Sequence, residues 1–200
     1  MNILVACFSQ TGNTAKIARA IYEAVSSRGH EVYLREIGEV TAECLNDYDL
    51  VYLGSACHDT DLAKPVKQIL ERVASLPPFK LAGFATHATQ MPEDGERARE
   101  LYERWAGNCI RTFHQVSEEK QIAFLGYFHC QGAPSPPIEA FIHNTIVTDQ
   151  DEWEMYIEEV RKHPTEKDLQ KAREFSYQVL TKCKGDSRNN YQTTRKQKIR

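Results

Sequence analysis

The chain has 200 residues, 41% of them hydrophobic and 26% charged, with a formal net charge of −3. That length suits one domain able to bury a core, and no apolar run reaches the ~18 residues that a membrane helix needs. The charge is uneven: from Lys184 to Arg200 six basic residues face only Asp186, so this tail carries +5 and residues 1–183 carry −8, which sets the acidic body against nucleic acid.

Residues 2–8 (NILVACF) form a short apolar run of the kind a parallel sheet buries on both faces. After the loop SQTGNT, Ile17, Ala18, Ile21, Ala24 and Val25 recur at helical spacing, and Arg28-Gly29 supplies the stop. A strand over 31–36 (EVYLRE) follows. A weakly helical connector around 40–46 then leads to the buried run DLVYLGS. Asp59-Thr60-Asp61 offers capping oxygens for a helix with Leu62, Val66, Ile69, Leu70 and Val73 on one face. Pro65 falls near its first turn, where a missing N–H is tolerated.

A strand over 80–86 comes next, then a helix carrying Ala98, Leu101, Tyr102 and Trp105, and a strand over 120–128. The last strong helix spans 165–183, opened by the capping-box pattern Thr165-Glu-Lys-Asp168. Strands alternating with helices predict an α/β fold with a parallel sheet and helices on both faces. Ligands in such folds bind beyond the carboxyl ends of the strands. That directs attention to loops 9–14, 55–61 and 86–95.

Residues 129–164 intervene before the last helix, and Pro134, Pro136 and Pro137 argue against regular structure at their start. This segment could cover the ligand face, bind a partner or build a subunit interface, so a homo-oligomer is left open. The tail 184–200, polar and basic, reads as disordered. The six cysteines are scattered with no C-x-x-C pair, and the seven histidines show no ligand spacing. Reduced thiols and no metal are expected. Met1 leads directly into a strand without room for a signal peptide, so a cytoplasmic protein is expected.

The first loop carries the chemistry. A helix N-terminus offers free N–H groups and a positive dipole end. Most phosphate loops add a lysine or several glycines; this one has Ser9, Thr11 and Thr14 hydroxyls, the Asn13 amide, and Gly12 to turn the backbone. Such a nest suits a phosphate monoester held by hydrogen bonds. The plainer alternative is that these residues only cap the helix, which accounts for one hydroxyl better than for three.

The string S9-Q-T-G-N-T14 resembles the [ST]-x-T-G-x-T phosphate loop of the flavodoxin-like family, and the likeness covers about residues 2–128 plus the final helix. The resemblance implies a three-layer α/β/α sandwich around a five-stranded parallel sheet of order 2-1-3-4-5. It implies a single domain over 1–183, interrupted by an insertion at about 129–164. It also implies FMN as cofactor, its phosphate on Ser9, Gln10, Thr11, Gly12, Asn13 and Thr14. Ala56, Cys57 and His58 would stand against the flavin ring, and Thr86, His87 and Ala88 along its other edge. Electron-carrying flavodoxins often stack Trp or Tyr there; here His58, with His87 or Met91, stands in those places.

Rival folds with a similar opening fail on residues. A low-molecular-weight tyrosine phosphatase needs an arginine where Asn13 stands. A receiver domain needs acids after the first strand, and an α/β-hydrolase needs a G-x-S-x-G elbow. Three functions remain: an electron carrier serving redox partner proteins, an FMN-dependent reductase passing electrons from NAD(P)H to a quinone-type acceptor, or a flavin-free binding module. No catalytic side chain is assigned, because in the first two the flavin carries the chemistry.

Overall fold

The computed structural model describes the backbone of residues 1–197 and the side chains of residues 1–184. Six strands are present: β1 (Asn2–Phe8), β2 (Glu31–Glu36), β3 (Leu50–His58), β4 (Asp61–Leu62), β5 (Lys80–His87) and β6 (Ala123–Gln131). β1 sits mid-sheet because both of its faces are apolar. Leu4 and Ala6 face one helix layer, and Ile3, Val5 and Cys7 face the other. Val5 lies opposite Leu34 on one side and Tyr52 on the other, both pairings parallel. The order β2-β1-β3-β5-β6 is the expected 2-1-3-4-5 arrangement. The two-residue β4 is the addition, antiparallel to β3 with Cys57 opposite Leu62.

That hairpin corrects the capping role expected for Asp59-Thr60-Asp61. Asp59 and Thr60 both take positive φ, 48° and 71°, as a tight two-residue hairpin turn requires. Asp61 belongs to β4 and binds Lys67 and Thr112. The following helix, α2 (Lys64–Arg72), starts behind Ala63 with Pro65 in its first turn.

Among the described residues seven α-helices complete the layers: α1 (Asn13–Ser26), α2, α3 (Glu96–Trp105), α4 (Asn108–Lys120), α5 (Pro136–Thr145), α6 (Gln150–Val160) and α7 (Glu166–Gln197). Ile17, Ile21 and Val25 of α1 join Phe175, Val179 and Leu180 of α7 over one face. Val66, Ile69 and Leu70 of α2 join Phe113 and Val116 of α4 over the other. Each such side chain, fully buried, contributes about 1.5–3 kcal/mol. Tyr52 reaches through one layer and donates its hydroxyl to the Ser176 carbonyl at 3.0 Å, which satisfies its buried polar tip. At Gly54 a Cβ would fall 2.2 Å from the Phe84 ring, so the ring lies across β3 only because no side chain stands there.

Three expectations along the chain change. The stretch before β6 holds α4, a helix the sequence reading left out, and β6 accordingly begins at Ala123 and ends at Gln131. The prolines of the insertion open a helix rather than exclude one: Pro136 and Pro137 occupy the first turn of α5, where their missing N–H groups are orphans anyway. α6 begins behind Asp149, whose side chain accepts the Glu152 N–H. The expected capping box does form, with Thr165 and Asp168 exchanging bonds at 2.7 and 3.3 Å. The tail read as disordered lies, in its side chains after Lys184, outside the described residues. Among the described residues no helix is long and apolar enough to cross a membrane.

Candidate functional site

The site lies where β1, β3, β5 and β6 end. β1 gives way to a loop that turns at Gly12 (φ +88°), a left-handed conformation that glycine adopts without steric cost. α1 then starts at Asn13. The Lys16 N–H bonds to the Gly12 carbonyl at 3.0 Å, and the Ala15 N–H to the Ser9 Oγ at 3.2 Å. The backbone N–H groups of Thr11, Gly12, Asn13 and Thr14 find no acceptor among the described residues. Four free donors at the positive end of a 14-residue helix form an anion cradle.

The side chains of this loop divide into two groups. Ser9 Oγ and Thr11 Oγ1 each accept one hydrogen bond, Thr11 from the Asn13 amide at 3.0 Å. Their own O–H hydrogens stay available to a ligand. Gln10 is exposed. Asn13 and Thr14 are buried and already engaged. Asn13 Nδ2 donates to the Ala133 carbonyl at 2.7 Å, and Thr14 Oγ1 lies 2.8 Å from Thr86 Oγ1. They brace the loop: Thr14 ties it to β5, and Asn13 ties it to the segment after β6.

At the ends of β3 and β5 the remaining expected residues separate. Cys57 donates its thiol hydrogen to the Trp105 carbonyl at 3.3 Å. Ala56 is half-buried. The His58 ring stands edge-on to Phe8, centroids 5.5 Å apart, beside the start of loop 9–14. Thr86 is Thr14's partner. The Ala88 carbonyl accepts the Tyr156 hydroxyl of α6 at 2.6 Å.

His87 is buried, with both ring nitrogens in use. Nε2 lies 2.9 Å from His129 Nδ1, and Nδ1 lies 2.8 Å from Thr89 Oγ1. Burial, reinforced by the neighbouring His129, pushes its pKa down to about 3, so the imidazole is neutral at physiological pH. His129 is lowered too, chiefly by its own burial. Tyr102 stacks on His129 at 4.7 Å, and burial lifts its phenol to about 12.

Cys57, His87 and Ala88 also line a cavity of about 770 Å³ roofed by α5 and α6. No residue of loop 9–14 lines it. Sequence reasoning left open that residues 129–164 cover this face but missed the helices that do so, together with Gln131 and the His129 partner of His87. Trp105, read as core, is half-buried and forms part of the cavity floor. One signal was readable: Trp153, Tyr156, Ile157 and Val160 keep helical spacing behind Asp149.

Comparison with known proteins agrees with this architecture. The "Flavodoxin-like domain-containing protein BilS" of Clostridioides difficile (strain CD3) is 26% identical over 190 residues, covering 92% of this chain and 98% of that protein. Flavodoxin 2 from Bacillus cereus superposes with a TM-score of 0.60 at 22% identity, covering 91% of this chain and 99% of the other. An archaeal flavodoxin gives 0.59 at 14% identity over 92% and 99% of the two chains. The family model described as "Flavodoxin domain" matches residues 4–177, so a strand-loop-helix opening, a β2-β1-β3-β5-β6 sheet and an anion cradle at the head of α1 together belong to a member of the flavodoxin domain family.

Proposed function

We propose that the protein binds FMN and transfers electrons through it to redox partner proteins. The observation that carries this reading is the cradle at the start of α1, with four unaccepted N–H groups and two hydroxyl hydrogens around Gly12. That donor set fits a phosphate monoester without a countercharge from lysine or arginine. Ser9, Thr11 and the backbone of residues 11–14 hold the phosphate. Thr14 and Asn13 keep the cradle in shape. Residues 56–58 and 86–88 border the ring, with the neutral His87 imidazole placing no charge beside it. When bound, the flavin supplies the redox chemistry. Cys7, Cys44, Cys57, Cys109 and Cys130 are free thiols, which suits the reducing cytoplasm.

Titrating the purified protein with FMN, followed by flavin fluorescence and visible absorbance, tests the reading. Saturable quenching at one flavin per chain is the expected result. No binding to the folded protein would reduce loop 9–14 to a helix cap. A second reading, an FMN-dependent reductase that takes electrons from NAD(P)H, is favoured by the cavity under α5 and α6. Rapid NADPH oxidation by the flavin-loaded protein with a small acceptor, and without a partner reductase, would select it.

A further inference from the structure

The sheet has two edges, and they are finished differently. At β6 the register against β5 slips between Leu81 and Ala82, so that Leu125 is passed over. Lys182 Nζ caps the Leu125 carbonyl at 2.9 Å. Bulges and lysines are common means of stopping a sheet edge from pairing further. β2, at the opposite edge, has neither. It is 6 residues long, contains no proline, and keeps one parallel register with β1 from Asn2 opposite Glu31 to Cys7 opposite Glu36.

The backbone of β2 divides by alternation. The Glu31 N–H reaches the Met1 carbonyl at 3.2 Å. Glu31, Tyr33 and Arg35 therefore turn their amide groups toward β1, and Val32, Leu34 and Glu36 turn theirs away from the sheet. The bonds made on the outer side agree. The Glu36 N–H donates to Glu39 Oε2 at 3.0 Å, and the Leu34 carbonyl accepts from the exposed Arg35 guanidinium at 3.3 Å. The N–H groups of Val32 and Leu34 and the Val32 carbonyl have no partner among the described residues.

The side chains decide what fits this edge. Glu31, Tyr33 and Arg35 form a row on one face, with the Tyr33 hydroxyl donating to Glu31 and the Arg35 guanidinium 5.9 Å from the Tyr33 ring centroid. An antiparallel copy of the row, with Tyr33 opposite Tyr33, sets Glu31 against Arg35 at both ends and Val32 against Leu34 on the other face. The same register brings the outward groups of Val32 and Leu34 into hydrogen-bonded pairing. A slip of one residue opposes Glu31 to Glu36 and loses that pairing.

We propose that β2 is an interface for a second copy of this chain, the two β2 strands pairing antiparallel about Tyr33 so that one sheet runs through both molecules. The pairing is isologous, so every contact is made twice. Val32 and Leu34 exchange N–H···O bonds with Leu34 and Val32 of the second copy. The Arg35 guanidinium leaves its own Leu34 carbonyl for Glu31 of the second copy. This edge lies across the sheet from β5 and β6, and the proposal does not depend on FMN binding.

Sedimentation equilibrium of the full chain, from micromolar to submillimolar concentration, tests it. A reversible monomer–dimer equilibrium is expected. Val32→Pro removes an outward N–H without touching the ladder to β1, and should weaken dimerisation at least about tenfold with an unchanged circular dichroism spectrum. Should that variant fail to fold, two substitutions of exposed side chains decide. Arg35→Glu and Glu31→Arg each set like charges opposite one another twice, and each should weaken self-association about tenfold. Mixing the two variants restores both opposite-charge pairs, and a heterodimer of near wild-type affinity is expected. A chain that stays monomeric throughout overturns the proposal. So does a dimer that Val32→Pro leaves intact, or charge variants that either associate like wild type or fail to recover on mixing.

Discussion

The two ends of the site are built by opposite means. At the head of α1, four consecutive residues, Thr11 to Thr14, leave their backbone donors free, and most of the shape is local. At the cavity end, the walls come from β3, β5, α3, β6, α5 and α6, residues up to a hundred positions apart. The first end needs a strand, a glycine and a helix start, with two braces from Asn13 and Thr14 to Ala133 and Thr86. The second exists only when the whole sheet and the insertion have folded around it. An anion cradle can therefore be written largely in a short string, whereas the shape of a cavity cannot.

The largest expected effect strikes the cavity end. Above about pH 6.5 His87 is neutral in both folded and unfolded chains and contributes nothing. Below it the unfolded chain takes up a proton that the buried imidazole, held near 3, refuses. Stability should then fall with pH by on the order of 3 kcal/mol between pH 6.5 and pH 4. Urea unfolding across that range measures it, and His87→Gln should flatten the slope. An equally steep slope in the variant would place the acid sensitivity elsewhere.

At the phosphate end the two threonines should part company. Thr11→Val removes a hydroxyl that is free to donate, and FMN affinity should drop by about 1.5–3 kcal/mol, with a smaller loss of stability, about 0.5–1.5 kcal/mol, from the Asn13 bond that Thr11 accepts. Thr14→Val strands the Thr86 hydroxyl in the interior and should cost about 1–3 kcal/mol of stability. The double variant Thr14→Val with Thr86→Val should recover most of that loss, because neither hydroxyl is left alone. Chemical denaturation of all three variants, beside FMN titrations, decides whether Thr14 is a brace or a ligand.

The smallest effect concerns the insertion's rim. Arg97 and Glu152 join α3 to α6 at 2.8 Å, but both are largely exposed. Arg97→Ala should change stability by no more than about 0.2–1 kcal/mol. A larger loss would mean that the roof depends on this pair more than on the buried Tyr156 bond.

What was legible in the sequence follows the same division. The boundaries of β1 and β2 and the start of α7 could be read because apolar runs and a Thr165–Asp168 capping box are local signals. The loop at 9–14 was legible for the same reason, as a string of donors around one glycine. The sequence could not say that Asn13 and Thr14 face inward, because their partners, Ala133 and Thr86, are 120 and 72 residues away. The insertion misled through its prolines: Pro136-Pro137 breaks a helix in its interior and begins one at its edge, and composition does not distinguish the two. Gln131 fell within the segment read as an insertion, and only the structure places it at the end of β6 under α5 and α6.

The Asn13–Ala133 bond has a consequence beyond geometry. It joins the phosphate cradle to the first residues of the insertion, so whatever steadies one end bears on the other. Occupancy of the cradle and opening of the segment after β6 are then linked equilibria, and the linkage runs equally in both directions. Amide hydrogen exchange in α5 should slow when the cradle is filled. Asn13→Ala should remove that slowing and, because Asn13 also braces the cradle, weaken its occupancy.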